Sequence, residues 1–178
     1  MLSGAGEPER SERAMGALNE NLVDHRSRII RLLTPPFEKS EPNPGYIKNY
    51  PPRVRENGGQ YSHAAVWAVM AFAALGDGEK TWELFNLISP VNHGRTADEA
   101  RVYLAEPYVI AADVYGVEPH AGRGGWSWYT GSSSWMYQLM AESLLGLRRE
   151  AAPLVLNPCP AKEWPVNLKR SRTEQGVN

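Results

Sequence analysis

The chain has 178 residues, of which 42% are apolar and 22% charged, and its formal net charge at pH 7 is −1. This length suits one domain with one sizeable core, and the near-zero charge gives no electrostatic basis for binding nucleic acid or an acidic membrane. The single cysteine, Cys159, excludes an internal disulfide and fits a reducing compartment. The longest apolar run, residues 64–75, is too short to span a bilayer, and no apolar signal core indicates secretion.

The first third of the sequence predicts one helix and a long loop. We expect residues 1–8 to be a disordered end, whereas residues 9–24 place apolar side chains at helical spacing. A short extended segment, residues 29–33, follows. Residues 34–52 contain six prolines, and this density of missing backbone donors excludes a helix or a central strand. The segment is therefore predicted to be a long loop, of the kind that is usually functional or disordered.

The remainder predicts helical hairpins. Helices are predicted at residues 60–75, 79–88, 107–115 and 132–147, with extended pieces after Pro153. Gly76 to Gly78 separates the first two, which predicts an αα-hairpin. In the first helix, one apolar stripe is expected to face inward: Ala64, Trp67, Ala68, Ala71 and Leu75. Thr96 and Glu99 have capping-box spacing for a further short helix, and Pro107 suits a first helical position, with Glu106 at the helix mouth.

Three polar clusters precede or join the predicted helices, at residues 55–63, 92–96 and 120–134. If successive inner helices run the same way, these loops share one end of the fold and carry the site. In the third cluster, Thr130 and Gly131 stand directly before a predicted helix, whose free N–H donors and dipole favour an anion such as phosphate. A plain capped turn is the alternative interpretation. The spacing fits neither a Walker loop nor a dinucleotide fingerprint.

His63 has several open interpretations: a metal ligand, a general base, a phosphate donor or a hydrogen-bonded core histidine. No second histidine accompanies it at metal-binding spacing, which argues against a metal. The neighbouring Arg55, Glu56 and Asn57 weaken the interpretation as a core histidine, because a buried cation and a buried carboxylate both need partners. Ser62 beside His63 does not indicate a hydrolase triad, since adjacent residues on a helix point apart.

Three stretches together resemble a known family: PPRVRENGGQYSHAAVWAVMA, AEPYVIAADVY and GRGGWSWYTGSSSWMYQL. They are similar to the C-terminal part of the inverting glycoside phosphorylases of glycoside hydrolase family 94. The similarity covers about residues 9–165 and is closest to cyclic β-1,2-glucan synthases and β-1,2-oligoglucan phosphorylases. Members of this family cleave a β-glucosidic bond with inorganic phosphate and release a sugar 1-phosphate of inverted configuration.

The resemblance implies a mainly α fold. Residues 9–150 would form the C-terminal half of an (α/α)6 catalytic barrel of helical hairpins, and residues 151–178 the start of a C-terminal β segment and a tail. It also implies that His63, Thr130 and Gly131 bind phosphate, and that Arg55 and Glu56 line the sugar-acceptor side. Inorganic phosphate would be the co-substrate, with no cofactor and no metal. Because phosphate is the nucleophile, the reaction needs one acid rather than two carboxyl groups.

The family's general acid is an aspartate upstream of the RENGGQ motif. No aspartate of this sequence stands in that motif context, including Asp24, Asp77, Asp98 and Asp113. We therefore expect a fragment that depends on the missing N-terminal half of the barrel and is inactive alone. Arg53 stands where relatives usually have glycine, so a positive φ there would strain the backbone.

Two other functions stay open: a non-catalytic α-helical module that binds carbohydrate or a protein, and a hydrolase or lyase on a related toroid. The expected partners are a β-glucan or oligosaccharide, phosphate and the rest of the barrel, with no nucleic acid and no direct membrane segment. An open barrel edge would expose apolar helix faces and favour association. The expected location is the cytoplasm, although a parent synthase of this kind can be membrane-associated.

Overall fold

The computed structural model describes residues 2–128, 131–149 and 154–162. Within these residues the fold is mainly helical, which confirms the predicted class. The α-helices are α1 (Pro8–Leu22), α2 (Ser62–Ala74), α3 (Gly78–Ile88), α4 (Ala97–Tyr103) and α5 (Ser132–Gln138). A π-helical segment, Leu139–Leu144, continues α5, and two 3-10 turns occur at Gly45–Asn49 and Pro90–His93. None of the helices in the described part of the chain is long and apolar enough to cross a membrane.

Short strands pair into antiparallel ladders across these residues. The pairs are β1 (Val23–Asp24) with β2 (Ile29–Ile30), β3 (Gln60–Tyr61) with β4 (Asp113–Val114), and β5 (Leu147–Arg149) with β6 (Leu154–Leu156). The last ladder contains the extended piece predicted after Pro153. Pro153 itself and most of the predicted tail lie outside the described residues.

The predicted αα-hairpin is present as α2 and α3. Gly76, with φ 78°, ends the first helix in the left-handed conformation that glycine adopts without strain. Asp77 caps the second helix, because its side chain accepts a hydrogen bond from the Lys80 N–H at 3.0 Å. The capping box of Thr96 and Glu99 at the start of α4 is also confirmed.

The core lies around α2, and it shows that the predicted single stripe is wrong in part. The buried core side chains of α2 include Ala65, Val66, Val69 and Phe72, whereas Trp67 is 43% exposed. The reason is that α2 packs against α3, α1 and the α5 helix with its π-helical extension, so more than one face of α2 is covered. Side chains from these helices complete the core, among them Met15, Leu84, Ile88, Met136, Leu139 and Leu144.

The helix predicted at residues 107–115 is wrong: this segment forms a turn and then β4. The backbone groups of Ala112 pair with two other segments, since its carbonyl accepts from the Ser62 N–H at 2.8 Å and its N–H donates to the Trp126 carbonyl at 2.6 Å. These non-local hydrogen bonds outweigh the local preference of Pro107 for a first helical position. Consequently Glu106 lies in a loop and not at a helix mouth.

The proline-rich loop is held by Asn57, which is fully buried. The Asn57 side chain accepts from the Phe37 N–H at 2.7 Å and donates to the carbonyls of Phe37 at 3.1 Å and Tyr50 at 2.8 Å. The loop is therefore fixed at both ends onto the segment that carries the RENGG residues.

Candidate functional site

The RENGG loop has a tightly constrained backbone. Arg53 and Arg55 have left-handed φ values of 64° and 48°. A positive φ at Arg53 is the condition under which we expected backbone strain there. The Arg53 N–H donates to the Asn57 carbonyl at 2.7 Å, and the Gly59 N–H to the Arg55 carbonyl at 3.1 Å. A methyl group at Gly59 would lie 2.9 Å from the Arg55 nitrogen, so only glycine fits there. The loop thus holds the backbone of Arg55 and Glu56 in one strained conformation.

Arg55 and Glu56 form a close but incompletely paired set of charges. The Arg55 Nε lies 3.7 Å from the Glu56 Oε2, and the guanidinium carbon is 5.2 Å from the centre of the Tyr50 ring. Within the described residues, neither the Nε nor the Oε2 has a hydrogen-bond partner, although both atoms are buried. Such atoms are unusual in folded proteins and are available to a polar ligand.

His63 sits in the first turn of α2 among three aromatic rings. Its ring stacks on Tyr61 at 6.2 Å between centroids, meets Trp67 edge-on at 4.7 Å, and lies 5.7 Å from Trp135. Trp67 and Trp135 are themselves in edge contact at 5.3 Å and tie α2 to α5. The His63 Nε2 is buried and has no partner among the residues that the structure describes.

Gly131 faces the His63 ring. A methyl group at Gly131 would lie 3.5 Å from the His63 Cε1 and 3.8 Å from its Nδ1. Two of the predicted phosphate-binding residues, 68 positions apart in the sequence, are therefore neighbours in the fold. The third, Thr130, lies outside the described residues.

Asp113 is a site residue that the sequence analysis set aside. It pairs with Tyr61 in the β3–β4 ladder and is only 2% exposed. Burial raises the pKa of its carboxyl group, and the nearby Glu56 charge also raises it, while a hydrogen bond from the Trp126 N–H and the Arg55 charge oppose the shift. The carboxyl group is thus within electrostatic reach of both charged residues of the RENGG loop. The sequence signal that could have indicated Asp113 is the presence of an acidic residue within the apolar run VIAADVY.

Buried polar atoms without a partner gather at this site. Six side-chain atoms in the described part of the chain have this property, and four of them belong to Arg55, Glu56, His63 and Asp113. Native interiors leave few such atoms unpaired, so these four residues are candidates for contact with a ligand. No group of three or more His, Cys, Asp or Glu among the described residues is arranged to hold a metal ion.

The glycine-rich segment 122–128 lies against β4 and Asp113. The Gly125 N–H donates to the Asp113 carbonyl at 2.8 Å, and the Trp126 N–H to the Asp113 Oδ1 at 3.2 Å. A methyl group at Gly125 would lie 2.4 Å from that Oδ1, so the Asp113 carboxyl group occupies the space that a side chain at position 125 would need. The glycine there allows the chain to approach Asp113 closely.

The polar cluster at residues 92–96 has structural contacts of its own. The Asn92 side chain donates to the Asn86 carbonyl at 2.9 Å, and the Asn92 carbonyl accepts from Arg28 at 2.8 Å. The His93 Nε2 lies 2.9 Å from the Leu87 carbonyl, and the ring stacks on Tyr103. The structure therefore brings the first and third polar clusters together, while the contacts of the second are with α3, α4 and Arg28.

The sequence comparisons identify the family of the chain. Residues 1–146 match the glycosyl hydrolase 94 superfamily, catalytic domain. The chain belongs to this family. It is 52% identical over 164 residues to the cyclic beta-(1,2)-glucan synthase NdvB of Rhizobium meliloti (strain 1021), which covers 92% of the chain and 6% of the synthase. The resemblance inferred from the three motifs is thereby confirmed.

Two phosphorylases are also similar to this chain. The N,N'-diacetylchitobiose phosphorylase of Vibrio proteolyticus is 30% identical over 93% of the chain and 20% of that protein. The 1,2-beta-oligoglucan phosphorylase of Listeria innocua serovar 6a is 28% identical over 61% of the chain and 11% of that protein. The chain thus spans a fifth or less of the length of each of these three relatives.

Proposed function

We propose that this chain is the phosphate- and acceptor-binding portion of an inverting β-glucan phosphorylase or glycosyltransferase, with β-1,2-linked glucan as its substrate. The observation that carries the proposal is the contact of His63 with Gly131, together with the buried side-chain atoms of His63, Arg55 and Glu56 that lack a hydrogen-bond partner in the described residues. Family membership supports the reaction class, and the names of two relatives, a cyclic beta-(1,2)-glucan synthase and a 1,2-beta-oligoglucan phosphorylase, support the linkage.

Phosphate would bind at the edge that His63 and Gly131 share. The buried His63 Nε2 has no protein partner in the described residues, so it is free to donate a hydrogen bond to a phosphate oxygen. The rings of Trp67 and Trp135 hold the imidazole in one orientation. With the smallest residue at Gly131, an oxyanion can approach the backbone closely. Thr130 is expected to add a hydroxyl donor.

Arg55 and Glu56 would bind hydroxyl groups of the acceptor sugar. A guanidinium group donates to hydroxyl oxygens, and a carboxylate accepts from hydroxyl hydrogens. The pair can therefore select a sugar by the positions of its hydroxyl groups. Their strained loop fixes these groups before the sugar arrives, and a fixed site pays less ordering entropy on binding.

Bond cleavage then follows from the placement of phosphate. A phosphate oxygen attacks the anomeric carbon while the glycosidic C–O bond breaks, and a general acid transfers a proton to the leaving oxygen. The products are a sugar 1-phosphate of inverted configuration and the shortened glucan. We propose that the acid is an aspartate outside this sequence, in the remaining part of an (α/α)6 barrel to which the helical hairpin α2–α3 belongs.

A phosphate titration tests the proposal. Inorganic phosphate added to the ¹⁵N-labelled chain should shift the His63 ring signals and the Gly131 amide signal in a saturable manner. The His63→Ala variant should weaken this binding about tenfold or more, since one charge-assisted hydrogen bond is lost. The purified chain alone should release no glucose 1-phosphate from β-1,2-glucan and phosphate.

His120→Ala is the matched control, because His120 is exposed and has no role in the proposal. It should bind phosphate as the unsubstituted chain does. Phosphate shifts that are equal in both histidine variants would contradict the phosphate site and favour the alternative function, a non-catalytic carbohydrate-binding module. Release of glucose 1-phosphate by the chain alone would contradict the assignment of the acid to another segment. The cytoplasmic location stays a prediction.

A further inference from the structure

Two tryptophan rings next to the candidate site are exposed to solvent. Trp126 and Trp128 are 60% and 57% exposed, while Ser127 between them is half-buried. Residues 123–126 run antiparallel to β4, with a bridge between Gly124 and Val114. The two exposed indoles, two positions apart at the end of this pairing, are here called the tryptophan surface.

The tryptophan surface belongs to the same end of the fold as the RENGG loop. The Trp126 N–H donates to the Asp113 Oδ1 at 3.2 Å. The charges of Arg55 and Glu56 lie near enough to this carboxyl group to act on its pKa. The Asp113 Oδ2 is buried and has no partner in the described part of the chain. One carboxyl group thus connects the backbone of the tryptophan surface to the proposed acceptor site.

The tryptophan surface also has a polar edge. The Trp128 Nε1 donates to the Glu106 Oε1 at 3.3 Å, which fixes the indole and places a carboxylate beside it. An aromatic face packs against the apolar C–H face of a pyranose ring, and a neighbouring carboxylate accepts hydroxyl hydrogen bonds. This combination fits an uncharged saccharide better than an apolar or an anionic ligand, because Glu106 would be desolvated by the first and would repel the second.

We propose that the tryptophan surface is an additional saccharide subsite, which binds the sugar units of a β-glucan beyond the unit held by Arg55 and Glu56. Two exposed indoles close together in the chain offer aromatic faces to more than one sugar ring of an oligosaccharide. The inference rests on the proposed function, since it extends the acceptor side of the same site. An additional subsite makes the affinity for a glucan increase with its length, whereas the phosphate site alone predicts no such dependence.

Calorimetric titration of the full chain with a β-1,2-linked glucose disaccharide and a pentasaccharide tests the subsite. The pentasaccharide should bind about tenfold more tightly than the disaccharide. Trp126→Ala and Trp128→Ala should each remove most of this difference and leave the affinities for the disaccharide and for phosphate unchanged. Trp128→Phe should retain part of it, because a smaller aromatic face remains. Tyr137→Ala, at an equally exposed aromatic residue on α5, is the control and should have no effect.

Each contrary result is distinguishable. Equal affinities of the unsubstituted chain for the two oligosaccharides, or no saccharide binding, overturn the subsite. Self-association that Trp128→Ala abolishes, without any effect on pentasaccharide binding, overturns it in favour of a protein contact. Absence of phosphate binding, with length-dependent and tryptophan-dependent saccharide binding retained, contradicts the proposed phosphorylase function and not the saccharide subsite. Thermal unfolding of each variant verifies that the exposed substitutions leave the fold intact.

Discussion

The ring of His63 and the backbone of Gly131 face each other so closely that a methyl group on the glycine would touch the imidazole at 3.5 Å. Gly131 itself has φ −69° and ψ −12°, which any residue can adopt. Gly131→Ala should therefore change the free energy of unfolding by no more than about 0.5 kcal/mol. It should weaken phosphate binding about tenfold, since the methyl group would hinder the approach of the anion to both residues. Urea unfolding and a phosphate titration measure the two effects.

Gly16→Ala is the matched control for this substitution. Gly16 lies in α1, and a methyl group there would have no atom within 4 Å. The alanine should raise the free energy of unfolding by about 1 kcal/mol through helix propensity and leave phosphate binding unchanged. Phosphate binding that survives Gly131→Ala intact would place the anion elsewhere.

Asn57 should be among the most sensitive positions of the loop region. Asn57→Ala removes three side-chain hydrogen bonds to the proline-rich loop and leaves the Phe37 N–H without its acceptor. We expect the free energy of unfolding to fall by about 3 kcal/mol. Limited proteolysis should then cut within residues 34–52 at rates that the unsubstituted chain does not show. Asn43→Ala, which removes one exposed hydrogen bond to Gly45, should change neither measurement.

The elements that the sequence predicted are those with local signals. Gly76 and Asp77 mark the α2–α3 turn, Thr96 and Glu99 mark the start of α4, and the prolines of residues 34–52 exclude an α-helix or a central strand. Each of these signals acts within a few residues, so a pattern in one sequence suffices to find it.

The elements that the sequence missed depend on distant partners. β4 exists because Ser62 and Trp126 supply hydrogen bonds to Ala112, and no local pattern contains either of them. Trp67 follows helical apolar spacing, yet it contacts His63 and Trp135 at the site and is partly exposed. Motif resemblance predicted phosphate-binding roles for His63 and Gly131, and the fold adds that these two residues are neighbours. The proximity of Asp113 to the charges of the RENGG loop depends on the β3–β4 ladder, which no local pattern predicts.

Arg53 tests the strain in the RENGG loop. A φ of 64° costs a residue with a side chain about 1–2 kcal/mol, and glycine avoids this cost. Glycine also gives the unfolded chain greater conformational freedom, which cancels part of the gain in stability. Arg53→Gly should therefore raise the free energy of unfolding by about 0.5–1 kcal/mol. Arg53→Ala removes the same exposed side chain and keeps the Cβ, so it should give no such gain. Equal stabilities of the two variants in urea unfolding would show that the backbone is relaxed.

Asp113 should make the stability of the chain fall as the pH rises. Burial raises the pKa of its carboxyl group in the folded chain above the ordinary value of 3.8. Between these two pKa values the folded state holds a proton that the unfolded state releases, so the free energy of unfolding decreases with rising pH over that interval. Asp113→Asn cannot ionise, and its stability relative to the unsubstituted chain should increase as the pH rises from 4 towards 7. Urea unfolding at several pH values measures the difference.

Asp24→Asn supplies a control of opposite sign. Burial of Asp24 raises its pKa, but hydrogen bonds from Ser27 and the charge of Arg31 outweigh that effect and lower the pKa below 3.8. Ionised Asp24 therefore stabilises the fold above its ordinary pKa, and this contribution disappears as the pH falls through the lowered value. Asp24→Asn should lose stability relative to the unsubstituted chain as the pH rises through this acid range. Parallel pH profiles of Asp113→Asn and the unsubstituted chain would mean that the pKa of Asp113 is the same in the folded and the unfolded chain, which contradicts the prediction for Asp113.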